Sequence, residues 1–325
     1  MRLHENESLF NEAVRATAQT KGIPEIYIEK DYWVTLTLHT IFNDPIGKEV
    51  VFKGGTALSK CFGLIERFSE DIDLVVLKKK EESGNQLKNK LKKITNIINP
   101  ILPEVYIEGL TNKMGMIRKT AHKYSKQFSG NFGQVRDIIV LESSWLGHFE
   151  PFTHKYISSY IYEMMNETNQ AKLAKEYSLL PFEVRVLDVK RTICEKIMSL
   201  VRFSYTAEPI SDLKNKVRHL YDLFLLLEDK ELKDFLNSKD FDKMLLLVAQ
   251  DDVVSFKNNN DWLKYHPKEA LIFSQIDYAW AELKSTYQDS FKKLVYGTLP
   301  EESKILLTLN RIADRLKKVE WTIDL

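Results

Sequence analysis

The stretch VFKGGTALSKCFGLIERFSEDIDLVVL, residues 51–77, decides the fold of this 325-residue chain. An apolar strand enters at residues 51–52 and breaks at Gly54 and Gly55, where the absence of a β-carbon allows a ligand to approach closely. Thr56 is predicted to cap a helix whose apolar residues fall at helical spacing and which ends near Phe68. The stretch therefore predicts a strand, a glycine turn, a helix and a second strand.

The second strand carries two acidic residues at its start. Because side chains alternate along a strand, Asp71 and Asp73 are predicted to share one face, ahead of the buried apolar run 74–77. Two neighbouring carboxylates repel each other, and Mg²⁺ typically takes one or two protein carboxylates together with water and substrate phosphates. Asp71 and Asp73 are therefore candidate metal ligands, and the alternative is a pair of surface aspartates at a strand edge.

The glycine turn supplies what phosphates require. Free backbone N–H groups and the positive end of a helix dipole favour anions. The candidate nucleotide-binding residues are accordingly Lys53, Gly54, Gly55 and Thr56. A phosphate cradle beside a metal site suits phosphoryl or nucleotidyl transfer, in which positioning and charge neutralisation carry most of the catalysis.

Residues 52–74 resemble the first motif of the AbiEii-type nucleotidyltransferases, toxins of type IV toxin–antitoxin and abortive-infection systems that include the mycobacterial MenT enzymes. The family belongs to the DNA polymerase β-like superfamily, whose signature is a glycine-led turn, a helix and an Asp-x-Asp strand. Here the spacing is slightly longer than the minimal pattern, and Thr56 stands where serine is usual. The resemblance implies an α/β (α+β) fold: a mixed sheet flanked by helices, followed by a mainly helical C-terminal part.

The resemblance also implies an activity. The enzyme would move NMP from an NTP to an acceptor with Mg²⁺ as cofactor, and pyrophosphate would be released. The favoured acceptor is RNA, at the 3′ end of tRNA, and the implied protein partner is a cognate antitoxin. Residues 1–180 are expected to form the nucleotidyltransferase core, and residues 181–325 a helical domain that completes the nucleotide cleft and the acceptor groove.

Two later segments resemble further family motifs. In 187–201, Lys196 matches the lysine that a helix presents to the nucleotide phosphates. In 216–227, Asp222 matches an aspartate that holds this lysine or the nucleotide. Arg218, four residues before Asp222, is a candidate nucleotide-binding residue that may also pair with it. Taken alone, both segments could be ordinary amphipathic helices with surface charge pairs.

Other candidates lie outside these motifs. A third carboxylate can share the metal or accept the proton of the attacking hydroxyl, and Glu142, on the strand predicted at 137–142, is the first choice, with Asp137 as the second. Either could be a solvent-facing strand residue. Lys30, in the helix predicted at 25–43, either lies near the nucleotide or belongs to a surface charge pair.

Basic residues concentrate in residues 78–93 and 116–126, which could contact RNA phosphates or form solvated faces. The whole chain has 47 Lys and Arg against 46 Asp and Glu, so net charge alone does not indicate nucleic acid. Two cysteines and the lack of a signal core or a membrane-length apolar run predict a cytoplasmic protein without a membrane partner. A Walker A loop, a dinucleotide-binding glycine motif, zinc spacing, HExxH and GxSxG are all absent from the sequence.

Two alternative functions remain at this stage. One is a nucleotidyltransferase of the same fold that modifies a small molecule such as an aminoglycoside, although the basic segments disfavour it. The other is a protein that binds nucleotide or RNA without catalysis, which the intact Asp71 and Asp73 disfavour.

Overall fold

A computed structural model describes residues 1–130, 136–146, 149–256 and 259–324. The chain divides into two compact units. The first contains residues 1–63, 68–145 and 152–186, and the second contains 64–67, 146–151 and 187–325. Two short segments from the first half of the sequence therefore belong to the second unit.

The first unit is built on a mixed sheet. Its strands are β1 (Val50–Lys53), β2 (Ile72–Val76), β3 (Glu104–Val105), β4 (Ile117–His122), β5 (Ile139–Ser144), β6 (Phe152–Ile157) and β7 (Phe182–Leu187). They follow the order β3-β4-β5-β2-β1-β7-β6. β1 runs antiparallel to β2 and parallel to β7, whereas β2 runs parallel to β5, which is antiparallel to β4. The two strands of the opening stretch are therefore central, which accounts for their apolar character on both faces.

Helices surround this sheet within the first unit. They are α1 (Glu7–Lys21), α2 (Glu25–Asn43), α3 (Gly54–Phe62), α4 (Gly84–Ile98), α5 (Tyr160–Glu167) and α6 (Ala171–Glu176), with 3₁₀ turns at Leu3–Glu5 and Pro45–Glu49. α4 begins with a capping box between Ser83 and Gln86. Every residue of α2 from Ile26 to Leu38 is buried, including charged ones, which is unusual unless the charges are paired.

The second unit is helical. Its helices are α7 (Val189–Phe203), α8 (Pro209–Lys214), α9 (Val217–Glu228), α10 (Lys230–Leu236), α11 (Lys239–Ser255), α12 (Leu271–Ser274), α13 (Ile276–Thr286) and α14 (Glu302–Leu316). Short 3₁₀ turns occupy Asp261–Lys264, Pro267–Glu269 and Lys292–Leu294, and a π turn spans Tyr287–Phe291. Asp188 and Asp229 cap α7 and α10 by accepting backbone N–H bonds. Within the described part of the chain, no helix is long and apolar enough to span a membrane.

The first helix of the opening stretch is shorter than predicted. It was expected to run from a Thr56 cap to Phe68, but α3 begins at Gly54 and ends at Phe62. Gly63 adopts a left-handed conformation (φ 62°), and its N–H donates to the carbonyl of Ser59, which ends the helix. The following segment, 64–67, joins the second unit, where the carbonyl of Glu66 accepts from the amides of residues 296 and 297.

Candidate active site

A row of four charged residues crosses four neighbouring strands of the first unit. In register, Lys53 on β1 lies opposite Asp73 on β2, Asp73 lies opposite Glu142 on β5, and Glu142 lies opposite Lys119 on β4. Directly opposed residues place their side chains on the same face of a sheet. The sheet therefore brings two carboxylates together and flanks them with two lysines.

The glycine turn packs directly on this row. Gly54 has a φ of 82°, and a β-carbon built on it would overlap Oδ2 of Asp73 and lie 3.1 Å from its Cγ. Glycine is the residue that adopts this conformation without steric cost, and the missing β-carbon leaves room for the carboxylate. The N-terminus of α3 thus lies against Asp73.

Thr56 connects the turn to the other acidic residue. Its buried hydroxyl donates to the backbone carbonyl of Asp71 over 2.6 Å and lies 3.0 Å from the hydroxyl of Ser69. The cap that the sequence predicted at Thr56 is not formed, because the helix already begins two residues earlier. Thr56 instead fixes the backbone that carries Asp71 relative to the glycine turn.

The negative charge of Asp73 is unfavourable in these surroundings. Loss of hydration, followed by the charges of Glu142 and Asp71, raises the pKa of Asp73 to about 7, although Lys53 and Lys119 act in the opposite direction. A cation bound beside this carboxylate would favour its ionised form. Asp73 is therefore suited to bind a metal ion rather than to stand alone as an anion.

The donor set fits Mg²⁺ only if the substrate contributes. No group of three or more His, Cys, Asp or Glu side chains that could hold a metal occurs among the residues that the structure describes. Mg²⁺ usually takes one or two carboxylates and fills its octahedron with water and phosphate oxygens. Asp71 and Asp73 fit this pattern, and Mg²⁺ bound there would screen the charge of substrate phosphates.

The two candidates for a third carboxylate have different surroundings. Glu142 lies opposite Asp73 and accepts a 2.9 Å bond from Nζ of Lys119. Asp137 precedes β5 and pairs with Lys126 at 2.5 Å, with about half of its side chain exposed (53%). Of the two, Glu142 is the one in register with the Asp-x-Asp strand.

A second charged cluster lies inside the helical unit. Nζ of Lys196 on α7 is 2.7 Å from Oδ2 of Asp222 on α9. Arg67 binds the same carboxylate in bidentate fashion, with Nε 2.7 Å from Oδ1 and Nη2 2.8 Å from Oδ2. All three side chains are buried. The structure brings Arg67 and Lys196 against Asp222. The pairing of Arg218 with Asp222 that the sequence allows stays a prediction.

These charges explain one another. Burial alone would raise the pKa of Asp222, but Arg67 and Lys196 hold it well below its usual range. Burial lowers the pKa of Lys196, and the nearby charge of Arg218 adds to this effect. Burial also lowers the pKa of His219 far enough to keep the ring neutral, 3.4 Å from Nζ of Lys196. The cluster contains two cations and one carboxylate, so its net charge is positive. This net positive charge favours binding of an anion such as phosphate.

Arg67 is the functional candidate that sequence reasoning missed. It lies in the opening stretch, which predicted it at the end of a helix rather than in a buried ion pair. One signal was available: Arg67 stands in the run LIERF, between an isoleucine and a phenylalanine that are both buried. A buried arginine requires a carboxylate partner, but the pattern does not say which one.

Comparisons with known proteins agree with this architecture. A family model described as "Nucleotidyl transferase AbiEii toxin, Type IV TA system" matches residues 37–321. No curated protein sequence matches the chain significantly. Among solved structures, MenT4, a nucleotidyltransferase toxin from Mycobacterium tuberculosis, superimposes with a TM-score of 0.59 at 17% identity, covering 94% of this chain and 90% of that chain. At this identity, the structural match demonstrates a shared fold.

Proposed function

The chain belongs to the AbiEii family of nucleotidyltransferase toxins of type IV toxin–antitoxin systems, and we propose that it transfers NMP from an NTP to the 3′ end of tRNA in a Mg²⁺-dependent reaction. Family membership makes the protein a nucleotidyltransferase that uses an NTP and is paired with an antitoxin. The metal, the RNA acceptor and the residue roles below are our proposal.

The observation that carries the proposal is the Asp73 site. The carboxylate of Asp73, whose pKa is raised to about 7, lies against Gly54 at the start of α3. The charge of Asp71 acts on the same carboxylate. Bound Mg²⁺ would neutralise phosphate charge at Asp71 and Asp73. The backbone N–H groups of Gly54 and Gly55, together with Lys53, would bind phosphate oxygens.

The proposed chemistry is an in-line displacement. The oxygen of the acceptor hydroxyl forms a bond to the α-phosphorus, the bond from that phosphorus to the pyrophosphate oxygen breaks, and pyrophosphate leaves with the electron pair. The hydroxyl proton passes to a carboxylate, for which Glu142 is our candidate because it lies in register with Asp73. In the second unit, Lys196 is proposed to bind phosphate, with Asp222 orienting it and Arg218 adding positive charge.

Surface charge supports an RNA acceptor over a small molecule. The predicted basic segment 78–93 becomes the loop before α4 and most of α4, and six of its lysines are exposed: Lys78, Lys79, Lys80, Lys88, Lys92 and Lys93. A row of exposed lysines suits a phosphate backbone better than a compact ligand. An aminoglycoside, which is cationic, would require an acidic acceptor pocket instead.

The decisive experiment is an incubation of the purified protein with total tRNA, Mg²⁺ and each radiolabelled NTP in turn. The Asp71→Ala/Asp73→Ala double variant tests the metal pair, and Asp314→Ala, which removes an exposed carboxylate of the second unit, is the matched control. Label on tRNA with the wild type and the control, but not with the double variant, is expected. If none of the NTPs labels tRNA, although the protein binds an NTP measurably, tRNA is rejected as the acceptor.

A further inference from the structure

Arg136 is held in an unusual way beside the candidate metal site. Its backbone N–H donates to Oε1 of Glu70 over 2.9 Å, and its backbone carbonyl accepts a hydrogen bond from Nζ of Lys30. Lys30 and Glu70 form an ion pair with each other, with side-chain exposures of 0% and 9%. Both polar backbone groups of Arg136 are therefore fixed by one buried ion pair.

This arrangement explains the buried charge of Lys30 on α2. The sequence suggested that Lys30 either contacts the nucleotide or lies in a surface pair, but its amine is enclosed by Glu70 and the carbonyl of Arg136. Burying a lysine is costly, because desolvation penalises its charged form. The buried ion pair of Lys30 and Glu70 fixes the backbone of Arg136 in place next to Asp71.

The side chain of Arg136 is comparatively exposed (45%) and reaches Asp71, a candidate metal ligand. Its Nη1 lies 3.3 Å from Oδ1 of Asp71 and 3.9 Å from Oε1 of Glu70. A guanidinium and a metal ion compete for the same Asp71 carboxylate, since each is a cation. A metal ion held by Asp71 would weaken the contact between Arg136 and this carboxylate, and the anchored backbone of Arg136 would keep its guanidinium within the reach of one side chain.

We infer that Arg136 is a triphosphate-binding residue, which neutralises Asp71 in the absence of nucleotide and transfers its hydrogen bond from Asp71 to the phosphates when the metal–nucleotide complex binds. The inference rests on the proposed function. A planar guanidinium matches phosphate oxygens in two-point geometry, and its partial exposure leaves it able to change partners. Lys30 and Glu70 act through Arg136 and are positioning residues.

Two binding measurements test the inference. The first titrates Mn²⁺ into the protein without nucleotide, followed by electron paramagnetic resonance. The second titrates a non-hydrolysable α,β-methylene NTP with Mg²⁺ by calorimetry. The variants are Arg136→Gln and Arg136→Lys, and Lys113→Gln is the control because it removes an exposed cation of the same unit that pairs with Glu104.

The expected changes run in opposite directions. Arg136→Gln should weaken analogue binding about tenfold or more, the scale of a lost charge-assisted hydrogen bond. It should leave Mn²⁺ affinity equal or a few-fold higher, since a competitor for Asp71 is gone. Arg136→Lys should weaken analogue binding by less, and Lys113→Gln should match the wild type in both titrations.

Three results would overturn the inference. If Arg136→Gln binds Mn²⁺ more tightly but binds the analogue with unchanged affinity, Arg136 only neutralises the charge of Asp71 and does not bind the triphosphate. Parallel losses of both affinities with a lower melting temperature would make its role structural. Failure of the wild type to bind the analogue at all would reject the proposed function as well, whereas the first two results leave that function intact.

Discussion

At the scale of single residues, Gly54 lies so close to Asp73 that the position has no room for a β-carbon. The carboxylate occupies the space that a β-carbon would fill, and the backbone conformation itself disfavours any other residue. Two independent reasons for glycine thus coincide at one position, and both act on the same metal-binding candidate.

We predict that Gly54→Ala lowers kcat about 100-fold, because displacement of a reacting group by about 1 Å has that scale of effect. The left-handed conformation should also cost roughly 1–2 kcal/mol of stability. Gly84→Ala is the matched control, since a β-carbon there meets nothing within 4 Å. Steady-state kinetics and urea denaturation measure the two effects, and equal kinetics for both variants would contradict the prediction.

The raised pKa of Asp73 predicts a pH dependence of metal binding. The folded enzyme without metal holds the proton of Asp73 up to about pH 7, whereas the unfolded chain releases it near pH 4. Metal binding must expel this proton, so the apparent Mn²⁺ affinity should fall by up to about tenfold per pH unit below 7. Titrations between pH 5.5 and 8 measure it, and a flat profile would contradict the assignment.

The same linkage has a consequence for stability. Because the folded state binds the Asp73 proton more tightly than the unfolded state, this group favours folding below pH 4 and loses that contribution as the pH rises towards 7. A saturating concentration of metal should remove this loss of stability, because the metal ion favours the ionised carboxylate of Asp73. Denaturation curves at pH 5 and 7.5, with and without Mg²⁺, compare the wild type with Asp73→Asn, in which the pH-dependent part should be smaller.

At the scale of secondary-structure elements, the early end of α3 has the largest consequences. Gly63 stops the helix in a left-handed conformation and sends residues 64–67 into the helical unit, where Arg67 clamps Asp222. Without this break, the arginine would continue on the helix, and the carboxylate on α9 would lose its bidentate partner.

We predict that Arg67→Met lowers the free energy of unfolding by about 3–5 kcal/mol, the scale for breaking a buried ion pair. Lys196 remains beside Asp222, so the loss should lie towards the lower end. Lys317→Met is the control, because it removes a salt bridge between exposed side chains, which contributes little to stability. Urea denaturation measures both, and similar midpoints for the two variants would contradict the prediction.

At the scale of the whole molecule, the second unit is assembled from three separate parts of the sequence. Besides Arg67, the segment 146–151 contributes backbone acceptors: the carbonyl of Pro151 accepts from the amide of Asp188 over 3.0 Å, and that of Glu150 accepts from Arg191 over 3.4 Å. The helical unit therefore depends on residues that a simple cut near residue 180 would remove.

We predict that a fragment of residues 187–325 unfolds at a lower urea concentration than the full chain. The free energy of unfolding of the fragment should also fall less steeply with urea concentration. The fragment lacks the clamp on Asp222 and the acceptors for the start of α7. Circular dichroism at 222 nm during denaturation measures this, with the full chain as the reference. A fragment as stable and as cooperative as the full chain would show that the two short segments are dispensable.

What the sequence determined by itself is local: the glycines that begin α3, the strand β2 that carries Asp73 and starts directly after Asp71, the apolar periodicity of α7 and α9, and the family. These features depend on residues a few positions apart, whose geometry follows from helix and strand periods. The tertiary structure decided which distant charges meet. It set Glu142 rather than Asp137 opposite Asp73, Arg67 against Asp222, and Arg136 over Asp71. Such pairs depend on the register of the strands and on the path of the chain between helices and strands. No periodicity in the sequence specifies the register or the path.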